Sequence, residues 1–187
     1  TGKLELCASH GICTKEALQK LADAGVTTYH HNLESSRRFY PNVCTSHTYD
    51  DRVNTIKNAK AVGLNVCSGG IFGLGETIED RIDMALDLRT LDIHSVPINV
   101  LTPIPGTPFE NNEEVNPFEI LKTISIYRFI LPKSFLRYCG GRIKLGEHAR
   151  TGLRCGINSA LTGNFLTTTG TTIETDKKMI KELGYEI

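Results

Sequence analysis

The chain has 187 residues with 21 basic and 21 acidic side chains, and 40% of its residues are apolar. This composition is typical of a globular protein with a real apolar core. The zero formal net charge argues against a nucleic-acid-binding protein, which needs excess Lys and Arg. No apolar run approaches the roughly 20 residues that span a bilayer, which argues against a membrane partner. No signal peptide opens the chain and its six cysteines are dispersed, so we expect a cytoplasmic protein with reduced or metal-ligating thiols.

The first predicted helix begins after Thr14, which can cap it, and ends near Gly25, which can adopt a left-handed conformation. Four apolar residues at helical spacing are expected to face inward: Ala17, Leu18, Leu21 and Ala22. Three elements are predicted next: a strand at 26–30, a helix at 51–63 and a strand at 64–67.

The third predicted helix begins after Thr77, with Asp80 three residues on as a weak capping box. Its expected inward residues are Ile82, Ala85, Leu86 and Leu88. The elements predicted after it are a strand at 95–101, a helix at 118–130, a strand at 135–138 and helical segments at 145–155 and 174–183. The short, mostly apolar run at 95–101 is typical of a strand buried on both faces.

Helices that alternate with short buried strands predict an α/β fold with a parallel sheet. An open doubly wound sheet and a (β/α)8 TIM-type barrel both fit this pattern. Five polar residues favour the barrel, because they recur at strand ends at nearly constant intervals, close to the roughly 31 residues of one barrel unit. They are Cys7, Asn32, Cys67, Asn99 and Arg137. Only five of eight strands are visible, so we expect strands 4–8 of such a barrel, with roughly 90 residues absent upstream.

Two cysteines, Cys7 and Cys67, end apolar runs where barrel side chains would converge. A single free cysteine is usually a small core residue, but two at equivalent strand ends, with Arg137 at a third, favour a site. A buried arginine requires an anionic partner, which a cluster of sulfides and thiolates would provide. The absence of any Cys-x-x-Cys pair excludes zinc-ribbon and thioredoxin-like sites. The other cysteines are interpreted as core residues, with the reservation that Cys139 lies close to Arg137: Cys13, Cys44, Cys139 and Cys155.

A dense polar segment follows the strand predicted at 26–30. Strand alternation places His30, Asn32 and Glu34 on one side and His31 on the other, so the paired histidines are not expected to hold one metal ion. An amide with a carboxylate suits a ribose or a urea-like ligand, and an ordinary polar loop is the alternative. Asn99 lies inside an apolar strand, where a buried amide without hydrogen-bond partners would destabilise the fold by roughly 1–3 kcal/mol. This penalty favours a position at the mouth of the barrel, where a ligand can provide those partners.

The glycine-rich stretch 69–77 lies between a predicted strand and a predicted helix. Its glycines would let the backbone approach a ligand, or would only form a tight turn, and the sequence leaves both open. The stretch lacks the lysine of a phosphate-binding loop and the spacing of a dinucleotide fingerprint.

Several motifs in consecutive order resemble the biotin synthase family of radical S-adenosylmethionine enzymes, over 3–185. The motifs are Tyr29-His30-His31-Asn32-Leu33-Glu34, the stretch 66–77, Ser95-Val96-Pro97-Ile98-Asn99, Ile104-Pro105-Gly106-Thr107-Pro108 and Leu166-Thr167-Thr168. The last part is similar to the domain that biotin and thiamin synthesis enzymes share. The resemblance therefore implies one domain over 1–187, with a partial barrel at about 1–140 and this associated segment at about 141–187.

In that family, a 4Fe-4S cluster on a Cys-x3-Cys-x2-Cys loop reduces S-adenosylmethionine to a 5′-deoxyadenosyl radical. The radical abstracts hydrogens from dethiobiotin, and a 2Fe-2S cluster is thought to supply the inserted sulfur, which yields biotin. The resemblance implies Cys7, Cys67 and Arg137 as three of four ligands of the 2Fe-2S cluster, with Cys67 and Arg137 acting directly in catalysis. It also implies an electron donor such as flavodoxin and a homodimer.

The resemblance assigns two sets of ligand contacts. S-adenosylmethionine would be bound by Asn32 and Glu34 at its ribose and by Arg52 at its methionyl carboxylate. The contacts to dethiobiotin would be made by His30, Asn32, Asn99, Thr167 and Thr168. The family often has Asn at the position of His30 and Asp at that of Glu34, and the longer Glu34 changes the reach of the carboxylate.

The Cys-x3-Cys-x2-Cys spacing occurs nowhere in these residues, and the fourth cluster ligand expected one strand before Cys7 is missing. We therefore expect the chain alone not to cleave S-adenosylmethionine. Two alternatives remain. A related radical enzyme of the hydrogenase-maturation type is disfavoured by Arg137 with Cys67 and by the two asparagines. A non-catalytic module that binds a cluster or a partner through an open sheet edge is the other.

Overall fold

Parallel strands and helices alternate along the chain in a computed structural model that describes residues 4–163 and 170–187. The strands are β1 (Leu6–Ala8), β2 (Val26–His30), β3 (Asn65–Cys67), β4 (Gly70–Phe72), β5 (Ser95–Val100), β6 (Phe135–Tyr138) and β7 (Ser159–Ala160). The helices are α1 (Lys15–Asp23), α2 (Tyr49–Ala61), α3 (Ile78–Thr90), α4 (Pro117–Ile130), α5 (Ala149–Cys155) and α6 (Ile173–Glu182). Short 3-10 segments lie at Tyr40–Asn42 and Arg142–His148.

The sheet follows the chain order, β1-β2-β3-β5-β6-β7, and β4 pairs with β5. Every pairing is parallel. An open doubly wound sheet would reverse its strand order at a switch point, whereas a barrel does not. The structure thus confirms the parallel α/β prediction and its barrel form, of which the chain supplies a curled part.

Threonine side chains cap the starts of α1, α2, α3 and α6. The Thr14 side chain accepts from Ala17 N before α1, as predicted. The predicted start of the second helix at 51 is wrong, because Thr48 caps α2 and forms a capping box with Asp51, so the helix begins at Tyr49. The predicted helix at 145–155 is also interrupted, because the backbone of Gly146 is not helical.

The predicted inner face of α3 is partly wrong. Ala85 and Leu88 are buried, but Ile82 and Leu86 are only half-buried and Met84 takes an inner position. The helix is rotated because two polar side chains of its first turns are buried and paired. Ser36 Oγ donates to Asp80 Oδ1 at 2.6 Å and Arg81 Nε donates to Glu76 Oε1 at 2.7 Å. On α1 only Leu18 is fully buried, Leu21 and Ala22 are partly buried, and Ala17 is exposed.

The glycine-rich stretch contains a strand that the sequence did not predict. β3 and β4 both pair with β5, so they form one barrel strand interrupted at 68–69. A Cβ at Gly69 would lie 2.1 Å from Pro97 O, and one at Gly70 would lie 2.5 Å from Glu34 O. These glycines therefore allow close packing between neighbouring strands, which is the immediate reason for their presence.

The apolar core lies between the sheet and its covering helices. Large, fully buried side chains such as Tyr29, Phe72, Leu88 and Tyr127 form it. β1 lies at one edge of the sheet, where Leu6 is 51% exposed. Within the described ranges, none of the helices combines the length and the apolarity that crossing a membrane requires.

Candidate active site at the carboxyl ends of the strands

Neighbouring strands carry the polar residues that the sequence analysis selected. Cys7 lies in β1, while His30 of β2 is the register partner of Cys67 of β3. Asn99 is in β5, and Arg137 of β6 is the register partner of Pro97. Because the strands are parallel and adjacent, these residues share the carboxyl-terminal end of the sheet, where barrel enzymes place their active sites.

Two thiols and a guanidinium meet at this end. Cys7 is exposed by surface area. Partial desolvation and the neighbouring Cys67 raise the pKa of its thiol, and Arg137 and the backbone of His30 partly oppose this rise. Cys67 is buried, and its sulfur accepts from Ser95 Oγ at 3.4 Å. The two cysteines and Arg137 are therefore close enough to influence one another electrostatically, as the strand-end spacing predicted.

Arg137 is half-buried, and its side chain has no hydrogen bond or ion pair to any other described residue. A partly desolvated cation without a partner is unfavourable unless an anionic group completes its surroundings. An iron–sulfur cluster, with its sulfides and thiolates, would be such a group, so the chemistry of Cys7, Cys67 and Arg137 is compatible with the ligand set that the resemblance implies. Among residues 4–163 and 170–187, no three His, Cys, Asp or Glu side chains converge closely enough to hold a metal ion.

Cys139 lies in the same neighbourhood, although the sequence analysis interpreted it as a core residue. It follows Arg137 by two positions, and its N–H donates to Ile98 O at 3.2 Å. The residue is buried as predicted, and burial raises the pKa of its thiol to about 12. Cys67 adds to that rise, whereas Arg137 and Arg142 act against it. This third thiol therefore lies near Cys67 and Arg137.

A second set of polar residues forms hydrogen bonds and an ion pair between the loop after β2 and helix α2. Asn32 Nδ2 donates to Glu34 Oε2 at 3.2 Å, and Arg52 Nη1 lies 3.6 Å from Glu34 Oε1. Arg52 Nη1 also donates to Asn32 O at 2.9 Å, and Arg52 Nε donates to the Tyr40 hydroxyl. The three residues that the resemblance assigns to S-adenosylmethionine thus form one connected network.

The position of Glu34 depends on an unusual backbone conformation. Its φ of 69° lies in the left-handed region, and backbone bonds on both sides hold it there. Its N–H donates to Gly69 O at 3.1 Å, and its carbonyl accepts from Ile71 N at 3.0 Å. Burial raises the pKa of the Glu34 carboxyl, and Arg52 and Asn32 oppose this rise.

The side-chain amide of Asn99 forms hydrogen bonds with backbone groups on two neighbouring segments. Its Nδ2 donates to Gly70 O at 3.1 Å, and its Oδ1 accepts from Gly140 N at 3.0 Å. The amide therefore ties β4 to the loop after β6 at the mouth of the barrel. One N–H and one lone pair remain for a ligand, so contact with a ureido ring stays a prediction.

The two histidines differ as strand alternation predicted. Burial and then Arg137 lower the pKa of His30, which is half-buried in the pocket. His31 is buried on the other face, and burial lowers its pKa to about 4, with Arg52 and His30 acting in the same direction. Both imidazoles are therefore neutral near pH 7. Thr167 and Thr168 lie outside the described residues.

Cys44 is a residue whose environment the sequence analysis missed. It was interpreted as core, but it is only half-buried and borders a surface cavity of about 490 Å³. Its sulfur lies 3.3 Å from Ser46 Oγ and 3.3 Å from His47 Nδ1. The hydrogen bond from Ser46 is the main cause of a lowered pKa for this thiol. The Cys-x-x-His spacing was the available sequence signal.

We expect iodoacetamide to alkylate Cys44 faster than Cys155 near neutral pH, because the thiolate is the nucleophile and the pKa of Cys44 is lowered. Cys155 is also half-buried but has no side-chain hydrogen bond in the part of the chain that the structure describes. Peptide mapping by mass spectrometry measures both rates. His47→Gln and Ser46→Ala should slow the reaction at Cys44 severalfold and leave Cys155 unchanged. Equal rates at both thiols in the folded chain would contradict this prediction.

Comparisons with known proteins agree with this geometry. Residues 2–88 match the model of the Radical SAM superfamily, and residues 97–186 match the Biotin and Thiamin Synthesis associated domain. The chain is 95% identical over all of its 187 residues to a biotin synthase of Fusobacterium nucleatum, of which it covers 52%. It is 58% identical over 183 residues to a biotin synthase of Campylobacter hominis, covering 98% of this chain and 56% of that protein.

Solved structures show the same fold at lower sequence identity. The chain superposes on methylornithine synthase with a TM-score of 0.78 at 23% identity, covering 98% of this chain and 58% of the other. It superposes on the FeFe-hydrogenase maturase of Carboxydothermus hydrogenoformans with a TM-score of 0.74 at 18% identity, covering 97% and 47%. At these identities the likeness concerns the fold alone.

The chain forms a curled parallel sheet of barrel type, and its first half matches the Radical SAM superfamily model. The chain spans about half the length of the curated relatives it matches. Over its whole length the chain is similar in sequence to biotin synthases, and its second half matches a domain named for biotin and thiamin synthesis.

Proposed function

We propose that this chain supplies part of the active site of a biotin synthase, an enzyme that inserts sulfur into dethiobiotin with S-adenosylmethionine as co-substrate. One observation carries the proposal. Two thiols and an unpartnered guanidinium (Cys7, Cys67 and Arg137) lie at the same end of the sheet as the network of Asn32, Glu34 and Arg52. The 95% identity to a biotin synthase of Fusobacterium nucleatum supports the same reaction.

The first group of residues has the chemistry of cluster ligands. Cys7, Cys67 and Arg137 would hold an auxiliary 2Fe-2S cluster, the guanidinium offsetting part of its negative charge. When bound, this cluster supplies sulfur, and a 4Fe-4S cluster supplies the electron that cleaves S-adenosylmethionine. The chain contains no Cys-x3-Cys-x2-Cys sequence, so its residues do not fit the ligand set of that 4Fe-4S cluster.

In this proposal, the network of Asn32, Glu34 and Arg52 binds the co-substrate. Asn32 and Glu34 would accept and donate hydrogen bonds at the ribose, and Arg52 would bind the methionyl carboxylate. The neutral ureido ring of dethiobiotin would contact Asn32, Asn99 and the neutral imidazole of His30. Thr167 and Thr168, which the resemblance places near the dethiobiotin tail, complete the proposed set.

The remaining parts of the proposal rest on family resemblance. They are a division near residue 140 between barrel and associated segment, a homodimer and an electron donor such as flavodoxin. A cytoplasmic location is consistent with six free cysteines, because reducing compartments keep thiols from pairing.

Turnover of dethiobiotin by the complete enzyme that carries this chain tests the proposal. After anaerobic reconstitution with iron and sulfide, we expect biotin and 5′-deoxyadenosine from dethiobiotin, S-adenosylmethionine and a reductant, both measured by mass spectrometry. The 187-residue chain alone should bind dethiobiotin without producing 5′-deoxyadenosine. Formation of 5′-deoxyadenosine by the complete enzyme with no biotin would contradict the substrate assignment and favour a different radical reaction.

A further inference from the structure

The guanidinium of Arg52 uses two of its three nitrogen atoms in hydrogen bonds to the protein, and the third is available to a ligand. Its Nη1 donates to Asn32 O, and its Nε donates to the Tyr40 hydroxyl. Its Nη2 has no hydrogen-bond partner within the described ranges, and the side chain is 15% exposed. A planar guanidinium held at Nε and Nη1 keeps the direction of its remaining donors fixed, which suits a carboxylate.

Tyr40 is held in place without help from Arg52. Only 1% of the residue is exposed, and its N–H donates to Ser36 O at 2.9 Å. Ser36 is in turn bound to Asp80 at the start of α3. The Tyr40 ring packs edge-to-face on Tyr49 with centroids 5.7 Å apart. The hydroxyl is therefore a rigid acceptor, fixed by the backbone and by aromatic packing.

The Tyr40 ring also contacts the guanidinium, whose central carbon lies 5.5 Å from the ring centroid. An arginine side chain has many rotamers, and ordering it on binding costs free energy. A rigid acceptor at Nε together with an adjacent aromatic face reduces that cost in advance. The neighbouring Tyr49 does not share this role, because its hydroxyl donates to Asp87 Oδ2 at 2.7 Å.

We propose that Tyr40 is a positioning residue for carboxylate recognition, because it fixes the orientation in which the Arg52 guanidinium binds the methionyl carboxylate of S-adenosylmethionine. This inference rests on the proposed function. Tyr40 acts through Arg52 and need not touch the ligand.

The test is Tyr40→Phe in the reconstituted complete enzyme, which removes the hydroxyl and keeps the ring. Equilibrium dialysis with S-adenosylmethionine should show a dissociation constant roughly ten- to a hundredfold higher, the loss expected for one hydrogen bond to a charged group. KM for S-adenosylmethionine should rise while kcat changes little. Tyr49→Phe is the matched control and should leave S-adenosylmethionine affinity unchanged.

A double-mutant cycle separates positioning from general packing. Arg52→Lys removes the Nε–H, so adding Tyr40→Phe to it should cause no further loss of affinity. Wild-type affinity in Tyr40→Phe, an equal loss in the Arg52→Lys background, or an equal loss in Tyr49→Phe would each overturn the inference while the proposed function stands. Failure of the unaltered enzyme to bind S-adenosylmethionine would overturn both.

Discussion

Arg137→Ala in the complete enzyme should remove most of the auxiliary cluster, measured as lost iron, lost sulfide and lost visible absorption after reconstitution. The physical reason is the charge balance of the pocket. Arg137 is the cation that acts on the Cys7 thiol, and the described part of the chain gives it no carboxylate partner. Without it, a negatively charged cluster would lose both a ligand and a compensating charge.

The same substitution should leave the fold almost unaffected. An arginine without hydrogen bonds or ion pairs contributes little to packing energy, so thermal unfolding of the cluster-free protein should change by less than about 1 kcal/mol. Arg137→Lys keeps the charge but loses the planar fork, and it should retain an altered cluster. Arg150→Ala, which removes an exposed ion pair with Glu182, is the control and should leave the cluster intact. A normal cluster in Arg137→Ala would refute the ligand assignment.

Strand-end positions were the part of the site that the sequence could predict. Cys7, Cys67, Asn99 and Arg137 recur at barrel spacing, and parallel strands must bring such positions together whatever the details of the packing. The sheet confirms their placement on neighbouring strands, because strand order and strand direction decide which residues are neighbours, and their role as ligands stays a prediction. Residue type then restricts what they can do.

Other features depend on register, which single residue types do not reveal. Asn99 was expected to line the mouth of the barrel, yet its amide also bridges Gly70 O and Gly140 N. β4 was missed because its strand is determined by pairing with β5, while glycine has low strand propensity. Arg52 comes from a helix, so only the family resemblance indicated it.

Cys44 illustrates a second limit of prediction from sequence, which concerns loop conformation. Its neighbours Ser46 and His47 are close in sequence, but the loop conformation determines whether the three side chains converge. A core interpretation is the better prior for any free cysteine. Cys139 fits that prior in burial and still lies near Cys67 and Arg137, since burial and proximity to a site are compatible.

Glu76→Gln should lower the free energy of unfolding by about 3 kcal/mol, because the buried Arg81 cation loses its buried anion and keeps only the exposed Glu119 carboxylate, 3.7 Å from its Nη1. The Glu76 side chain is 2% exposed and that of Arg81 is 6% exposed, with Oε1 and Nε 2.7 Å apart. Glu76 also accepts from Gly73 N at 2.9 Å, which closes the turn between β4 and α3. Denaturant unfolding of the purified chain measures the loss.

Two further variants make the interpretation specific. Glu79→Gln, in the exposed first turn of α3, should cost less than about 1 kcal/mol because an exposed carboxylate at a helix start contributes only a dipole interaction. Glu76→Gln combined with Arg81→Met removes both charges and should recover much of the lost stability, as replacement of whole buried pairs by apolar residues often does. If Glu76→Gln unfolds at the same denaturant concentration as the wild type, the buried ion pair does not stabilise this turn. The position of β4 beside Asn99 would then depend on its pairing with β5 alone.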